Sequence, residues 1–242
     1  MNSFRPPNTD VLPGERLDLF MGGRLKLIQS SDGYRFSIDA VMLAEFVTIK
    51  PEDIVIDLGT GCGIIPLILL YKKNIKHVTG LEIQGELASQ AMRNARLNDF
   101  RDRMDVITGD IKALPLREKI ADVVICNPPY RGVRSGRINP DPRRAIARHE
   151  LLATTEDILA AAHGLLKKKG RLALVYPSVR LADILSSMRK QNLEPKRLRV
   201  NYPNEGTGAK LVLVEAVLRG KPGLHVEPPL FGQGEYSIQN PP

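Results

Sequence analysis

The sequence predicts an α/β fold: a seven-stranded, mostly parallel sheet with helices on both faces, its last strand antiparallel, and a hairpin and helix ahead of it. Three observations carry that expectation. Short apolar runs alternate with stretches of helical periodicity along most of the 242 residues, the pattern of strands joined by helical crossovers. A glycine-rich turn, Gly59-Thr60-Gly61-Cys62-Gly63, stands where one such run hands over to a helix. No internal repeat or low-complexity tract breaks the alternation, and the length suits a single core that needs neither disulfides nor metal.

Along the chain, residues 17–21 and 24–28 flank Gly22-Gly23, a pair able to supply the positive φ values of a tight hairpin turn. Ser37 stands where a helix cap belongs, ahead of Ile38, Val41, Met42 and Phe46 at helical spacing, with Pro51 as the stop. The core is then expected as strand 54–58, helix 63–72, strand 77–82, helix 86–98, and strands 104–108 and 121–126. Right-handed crossovers make those strands parallel. Thr154 with Asp157 reads as a capping arrangement for a helix running to Lys167-Lys168-Lys169, where cations suit the C-terminal dipole and Gly170 ends it. Strand 171–176, helix 179–191 and strands 197–202 and 211–218 finish the sheet, the short link between the last two making them antiparallel neighbours. The tail after Gly220, rich in Pro and Gly, is expected to strap along the surface. This divides the chain into a hairpin-and-helix extension packed on the core (1–50), a main domain (51–220) and a tail (221–242).

Hydrophobic residues at 43% and charged residues at 26% give the balance of a globular protein and argue against disorder. The longest apolar run, 64–70, is too short to span a bilayer and contains Pro66. The opening MNSFRPPNTD lacks the apolar stretch of a secretory signal, and the two cysteines, Cys62 and Cys126, sit in different segments; a reducing, cytoplasmic compartment is expected. The net charge of +8 favours a polyanionic partner. The histidines His77, His149, His163 and His225 are scattered without ligand spacing, so no metal site is expected.

Glycine is wanted in the 59–63 turn because the backbone must bend sharply and admit a ligand without a Cβ in the way. A dinucleotide fingerprint starting at Gly59 would need glycine at position 64, which is Ile64. Glu82 ends the next strand, where an acid can accept both hydroxyls of a ribose. With Asp57 before the glycines and Asp110 after the third strand, three carboxylates gather at the carboxyl ends of adjacent parallel strands. They would repel a pyrophosphate and suit a ligand with a cationic amino-acid moiety.

The sequence DLGTGCG, an acidic strand end and a third-strand Asp together resemble the class I S-adenosylmethionine-dependent methyltransferases, over roughly residues 50 to 218. The resemblance implies a Rossmann-like sheet and assigns cofactor roles residue by residue. Gly59, Thr60, Gly61 and Gly63 would lie along the methionine part, Glu82 would hold the ribose hydroxyls, and Asp110 with Ile111 would border the adenine. Asp57 would fix the loop and approach the methionine amine, directly or through water, and Asn127 would also border the cofactor. Asn127-Pro128-Pro129-Tyr130 follows the fourth strand, where the transferable methyl should point. An amino nitrogen conjugated to a ring is a poor nucleophile, and the Asn127 oxygen and Pro128 carbonyl are suited to accept its N–H bonds and turn its lone pair toward the methyl. Pro128 and Pro129 stiffen the turn, and Tyr130 is suited to stack on a planar group. The motif is shared by enzymes acting on adenine N6, guanine N2 and glutamine N5, which leaves the substrate open.

Arg131, Arg134, Arg137, Arg143, Arg144 and Arg148 follow that corner against one acid, Asp141, a composition suited to phosphates. Lys196, Arg197 and Arg199 are expected to extend the patch. The segments GYRFSIDA (33–40), AIARHE (145–150), AKLVLVE (209–215) and PPLF (228–231) resemble the bacterial tRNA(Val) adenine-N6 methyltransferases, implying methylation of an anticodon-loop adenine in tRNA. Tyr34 and Phe36 then border the pocket or pack in the core. The rivals are a release-factor glutamine N5 methyltransferase, whose relatives carry a helical domain before the glycine loop, an rRNA guanine-N2 or DNA adenine enzyme, and a non-catalytic RNA-binding module.

Overall fold

The computed structural model describes residues 11–31, 37–73, 75–128 and 153–232. Strands β1 (Glu15–Phe20) and β2 (Leu25–Ser30) pair antiparallel around the Gly22-Gly23 turn as expected. Helix α1 (Ile38–Phe46) follows. Ser37 occupies its N-cap with extended backbone, yet its side chain makes no capping bond to the helix. Burial holds the helix instead, since Ala40, Val41, Met42, Leu43, Ala44 and Phe46 are all in the core.

The sheet comprises β3 (Ile54–Leu58), β4 (His77–Glu82), β5 (Met104–Thr108), β6 (Ala121–Cys126), β7 (Leu166–Pro177), β8 (Leu193–Tyr202) and β9 (Leu211–Leu218). Its order is β8-β9-β7-β6-β3-β4-β5, parallel except at β9, which runs antiparallel to both β7 and β8. The tail adds β10 (His225–Val226) and β11 (Leu230–Phe231), each parallel to β8, giving nine strands. Helices α2 (Ile64–Lys72), α3 (Gly85–Leu97), α4 (Thr155–Leu165) and α5 (Leu181–Lys190) supply the crossovers. Both faces are covered. Val55 joins the cluster that contains α1, α2 and α3, while Ile56 and Leu58 join that of α4 and α5, the strand alternation of a sheet buried on both sides. The chain leaves β3 toward β4 and β5 and returns to the other side of β3 for β6. The carboxyl ends of β3 and β6 therefore form the reversal point at which such sheets bind ligands.

One expectation is corrected at the lysine cluster. Helix α4 ends at Leu165, and Lys167-Lys168-Lys169 lie inside β7, where pairing with β6 jumps from Ala121↔Leu166 to Val123↔Arg171. Leu166 is already extended, and its fully buried side chain belongs to the second cluster. Strand pairing thus overrides the dipole argument, and Lys167 Nζ reaches Asp122 Oδ2 at 2.7 Å across the bulge. The start of α4 agrees with expectation. The Thr154 hydroxyl accepts from the Asp157 amide and the Asp157 carboxylate accepts from the Thr154 amide, a complete capping box.

Lys196, Arg197 and Arg199 hold the tail to the sheet edge. Arg197 donates to the Phe46 carbonyl and pairs with Glu215 (3.2 Å) and Glu227 (2.6 Å). Arg199 Nε donates to the Pro228 carbonyl and Lys196 Nζ to that of Lys221. Among the described residues no helix is long and apolar enough to cross a membrane.

Candidate active site

Every backbone amide from Gly59 to Gly61 has a fixed partner. The amides of Gly59 and Thr60 both donate to the Leu81 carbonyl, at 2.8 and 3.0 Å. That of Gly61 donates to Glu82 Oε2 at 2.9 Å. Gly63 then donates to the Thr60 carbonyl and caps α2 in the left-handed region at φ 85°. A Cβ at Gly63 would strain that backbone and come within 2.8 Å of Met104 Cε. On the neighbouring strand a Cβ at Gly80 would lie 2.7 Å from Thr60 Cγ2, so Gly80 is what lets the loop close down on β4.

Sequence reasoning did not single out Gly80, although an isolated glycine inside a strand pattern is a recognised sign of close backbone approach. It also missed Ala40. The hollow at the reversal point is lined by Ala40, Gly59, Thr60, Cys62, Ile64, Ile65 and Asn127. Helix α1 therefore forms a wall of the site.

Asp57, Glu82 and Asp110 do stand at the carboxyl ends of adjacent strands, but in three different environments. Asp57 is 1% exposed, and neither its carboxylate oxygens nor the Thr60 hydroxyl has a hydrogen-bond partner within bonding geometry. Burial pushes its pKa up to about 7, offset in part by the nearby Thr60 hydroxyl and reinforced by the charge of Glu82. The loop is thus fixed by Leu81 and Glu82, with Asp57 behind it as an unspent acceptor. Glu82 is buried and its pKa is raised by desolvation, against the pull of amide donors. Besides Gly61, its other oxygen accepts from Gln84 N at 3.0 Å. Asp110 is half-buried and caps a 3-10 turn (Ile111–Ala113) by accepting from Lys112 N, with Ile111 packed against the second core cluster.

Asn127 leaves β6 half-buried, one residue past Cys126, which pairs in register with Leu58 of β3. That register sets Asn127 beside Gly59, so the hollow joins the glycine loop to the first residue of the corner. Pro128 is buried. Pro129, Tyr130 and the arginines 131, 134, 137, 143, 144 and 148 lie outside the described residues, as do Tyr34 and Phe36. His77 meets Asp105 at 3.0 Å and His163 Nδ1 meets the Gln191 carbonyl at 2.9 Å, both away from the site.

These residues fit S-adenosylmethionine. An isolated buried carboxylate is costly, and a cationic amine is the partner that would repay the orphaned oxygens of Asp57. The raised pKa of Glu82 and its unfilled lone pairs suit it to accept ribose hydroxyls.

Comparison with known proteins agrees. Residues 49–213, more than half of the chain, match a family described as a methyltransferase domain. The chain is 33% identical over 175 residues to the tRNA1(Val) (adenine(37)-N6)-methyltransferase of Porphyromonas gingivalis, covering 69% of this chain and 68% of that protein. Among solved structures, a predicted O-methyltransferase from Agrobacterium tumefaciens superposes with a TM-score of 0.62 at 23% identity, over 80% of this chain and 86% of the other. The geranyl diphosphate C-methyltransferase of Streptomyces coelicolor A3(2), in complex with Mg2+, geranyl diphosphate and S-adenosyl-L-homocysteine, superposes with a TM-score of 0.53 at 14% identity, over 74% and 79%. At these identities the two structures speak for the fold.

Proposed function

Because the chain belongs to the class I S-adenosylmethionine-dependent methyltransferases, we propose that it methylates the N6 amino group of an adenine in the anticodon loop of a tRNA. The observation that carries the reading is the position of Asn127, on the same hollow as Gly59, Thr60 and Cys62. The acceptor is taken from the Porphyromonas gingivalis relative, whose name specifies adenine N6 in tRNA1(Val).

When bound, S-adenosylmethionine supplies a methyl group on a sulfonium, already a good electrophile. The work left to the chain is to hold the cofactor, align the nucleophile and keep water out. Gly59, Thr60, Gly61 and Gly63 would run along the methionine part, Asp57 would meet its amine, Glu82 the ribose, and Asp110 with Ile111 the adenine. The Asn127 side-chain oxygen and the Pro128 carbonyl would accept the two N–H bonds of the target amine and so aim its lone pair. Tyr130 would stack on the base and Pro129 would keep the corner rigid.

The polyanion part rests on the sequence, where Arg131, Arg134, Arg137, Arg143, Arg144 and Arg148 follow the corner directly. A single-stranded loop suits these residues, since its base is already partly unstacked and enters a pocket at little unpairing cost. The cysteines Cys62 and Cys126 are both free, in keeping with the reducing, cytoplasmic compartment proposed for an enzyme of tRNA. Nucleoside mass analysis of total RNA from cells with and without the gene tests the reading. Loss of N6-methyladenosine from tRNA is expected; an unchanged tRNA profile would overturn it.

A further inference from the structure

Helix α3 lies beside β2, and the side chains of Asn94 and of the helix's C-cap residue, Asn98, stand in for a neighbouring strand. Asn98 Oδ1 accepts from the Lys26 amide at 2.8 Å and Asn98 Nδ2 donates to the Lys26 carbonyl at 2.7 Å. Asn94 repeats the pattern at Ile28, accepting its amide at 2.6 Å and donating to its carbonyl at 3.0 Å. The lengths match, because four residues of helix advance about 6 Å and two residues of strand about 6.6 Å.

The two amides differ in their remaining hydrogen bond. That of Asn98 returns to its own helix, at the Asn94 carbonyl. That of Asn94 goes to the Cys62 carbonyl at 2.9 Å, inside the glycine loop. Asn94 is 0% exposed, so its loss leaves the Ile28 amide and the Ile28 and Cys62 carbonyls buried without this partner. Cys62 lies between Gly61, whose amide Glu82 holds, and Gly63, which starts α2. The loop is therefore pinned on one side by an acid of β4 and on the other by an amide of α3, and that amide also carries the hairpin.

We infer that Asn94 is a positioning residue for the cofactor loop and that through it the N-terminal hairpin and cofactor binding are coupled. The inference rests on the glycine loop being the cofactor site. Asn98 is the internal control, because it makes the same bonds to the hairpin and none to the loop.

The test measures the S-adenosylmethionine Kd by calorimetry, together with kcat, the cofactor KM and Tm, for the full chain and for Asn94→Ala and Asn98→Ala. Both variants should lower Tm. Asn94→Ala should raise Kd and KM for the cofactor about tenfold, the loss of one buried hydrogen bond, while kcat at saturating cofactor stays within about twofold. Asn98→Ala should leave the cofactor Kd unchanged. Equal effects of the two variants on Kd, or none, would overturn the inference. Glu82→Ala measured alongside separates this failure from the other, since unchanged affinity in that variant would mean the loop is not the site. If Asn94→Ala does not fold, amide hydrogen exchange on the unaltered protein decides. S-adenosylhomocysteine should slow exchange at Ile28 by a larger factor than at Lys26, and equal factors would contradict the coupling.

Discussion

Glu82 Oε2 accepts the Gly61 amide at 2.9 Å, so the acid that ends β4 also clamps the turn that follows β3. One carboxylate thereby shapes the glycine loop and, in the proposed assignment, meets the ribose of the cofactor. Asn127, one residue past the end of β6, lines the same hollow. The two residues should separate in their effects. Glu82→Ala should weaken S-adenosylmethionine binding by at least about tenfold, through the lost charge-assisted bond alone. Asn127→Ala should leave binding nearly intact and lower turnover on the order of 10²–10³, the usual cost of one group positioned for the reacting centre. Calorimetry and single-turnover rates on both variants check the division; a matching loss of affinity in Asn127→Ala would contradict it.

Asp57 makes stability depend on pH. Its unfolded value is ~3.9 and burial raises the folded one to about 7. Between those values the folded protein keeps a proton that the unfolded chain has released. Stability of the cofactor-free protein should therefore fall as pH rises through that window and level off above it. The raised pKa of Glu82 acts in the same direction. Denaturant midpoints from pH 4 to 8 should show the decline, and Asp57→Asn should flatten it. Because a cationic amine favours the ionised carboxyl, cofactor binding near pH 6 should release a proton, seen as a buffer-dependent heat in calorimetry and lost in Asp57→Asn.

Arg197 should matter for the fold and not for RNA. Its guanidinium pairs with Glu215, which is 3% exposed, and lies 4.5 Å from the centroid of the Phe46 ring. Arg197→Met should cost about 3 kcal/mol by leaving a buried acid without its cation. RNA affinity measured well below Tm should be unchanged. A selective loss of RNA affinity at unaltered Tm would restore Arg197 to the binding surface.

The parallel core was legible in the sequence because buried strands read as continuous apolar runs and the loop glycines as breaks in them, so strands β3 to β6 fall at the expected residues. The placement of Asp57, Gly59, Glu82 and Asn127 at strand ends was legible for the same reason, since strand ends follow from periodicity. The Lys167–Lys169 bulge was not, because the cluster satisfies a helix dipole locally and only pairing with β6 decides otherwise. Nor were Gly80 and Asn94. Their importance lies in contacts with Thr60 and Cys62, which no local pattern encodes.

The arginines past the corner should carry RNA binding. Neutralising Arg143, Arg144 and Arg148 together should weaken tRNA affinity and reduce the slope of log K against log salt by roughly 0.7–0.9 per lost phosphate contact. Cofactor affinity should stay the same. A filter-binding series over salt concentration measures both the affinity and the slope; an unaltered slope would mean these side chains touch no phosphate.

The purified protein should be incubated with methyl-labelled S-adenosylmethionine and, in separate reactions, tRNA, ribosomal RNA, duplex DNA and release factor, and the products digested and separated. Label is expected in N6-methyladenosine from tRNA, mapped to the anticodon loop. Label in N2-methylguanosine, in DNA or in a protein glutamine, with none in tRNA adenosine, would contradict it.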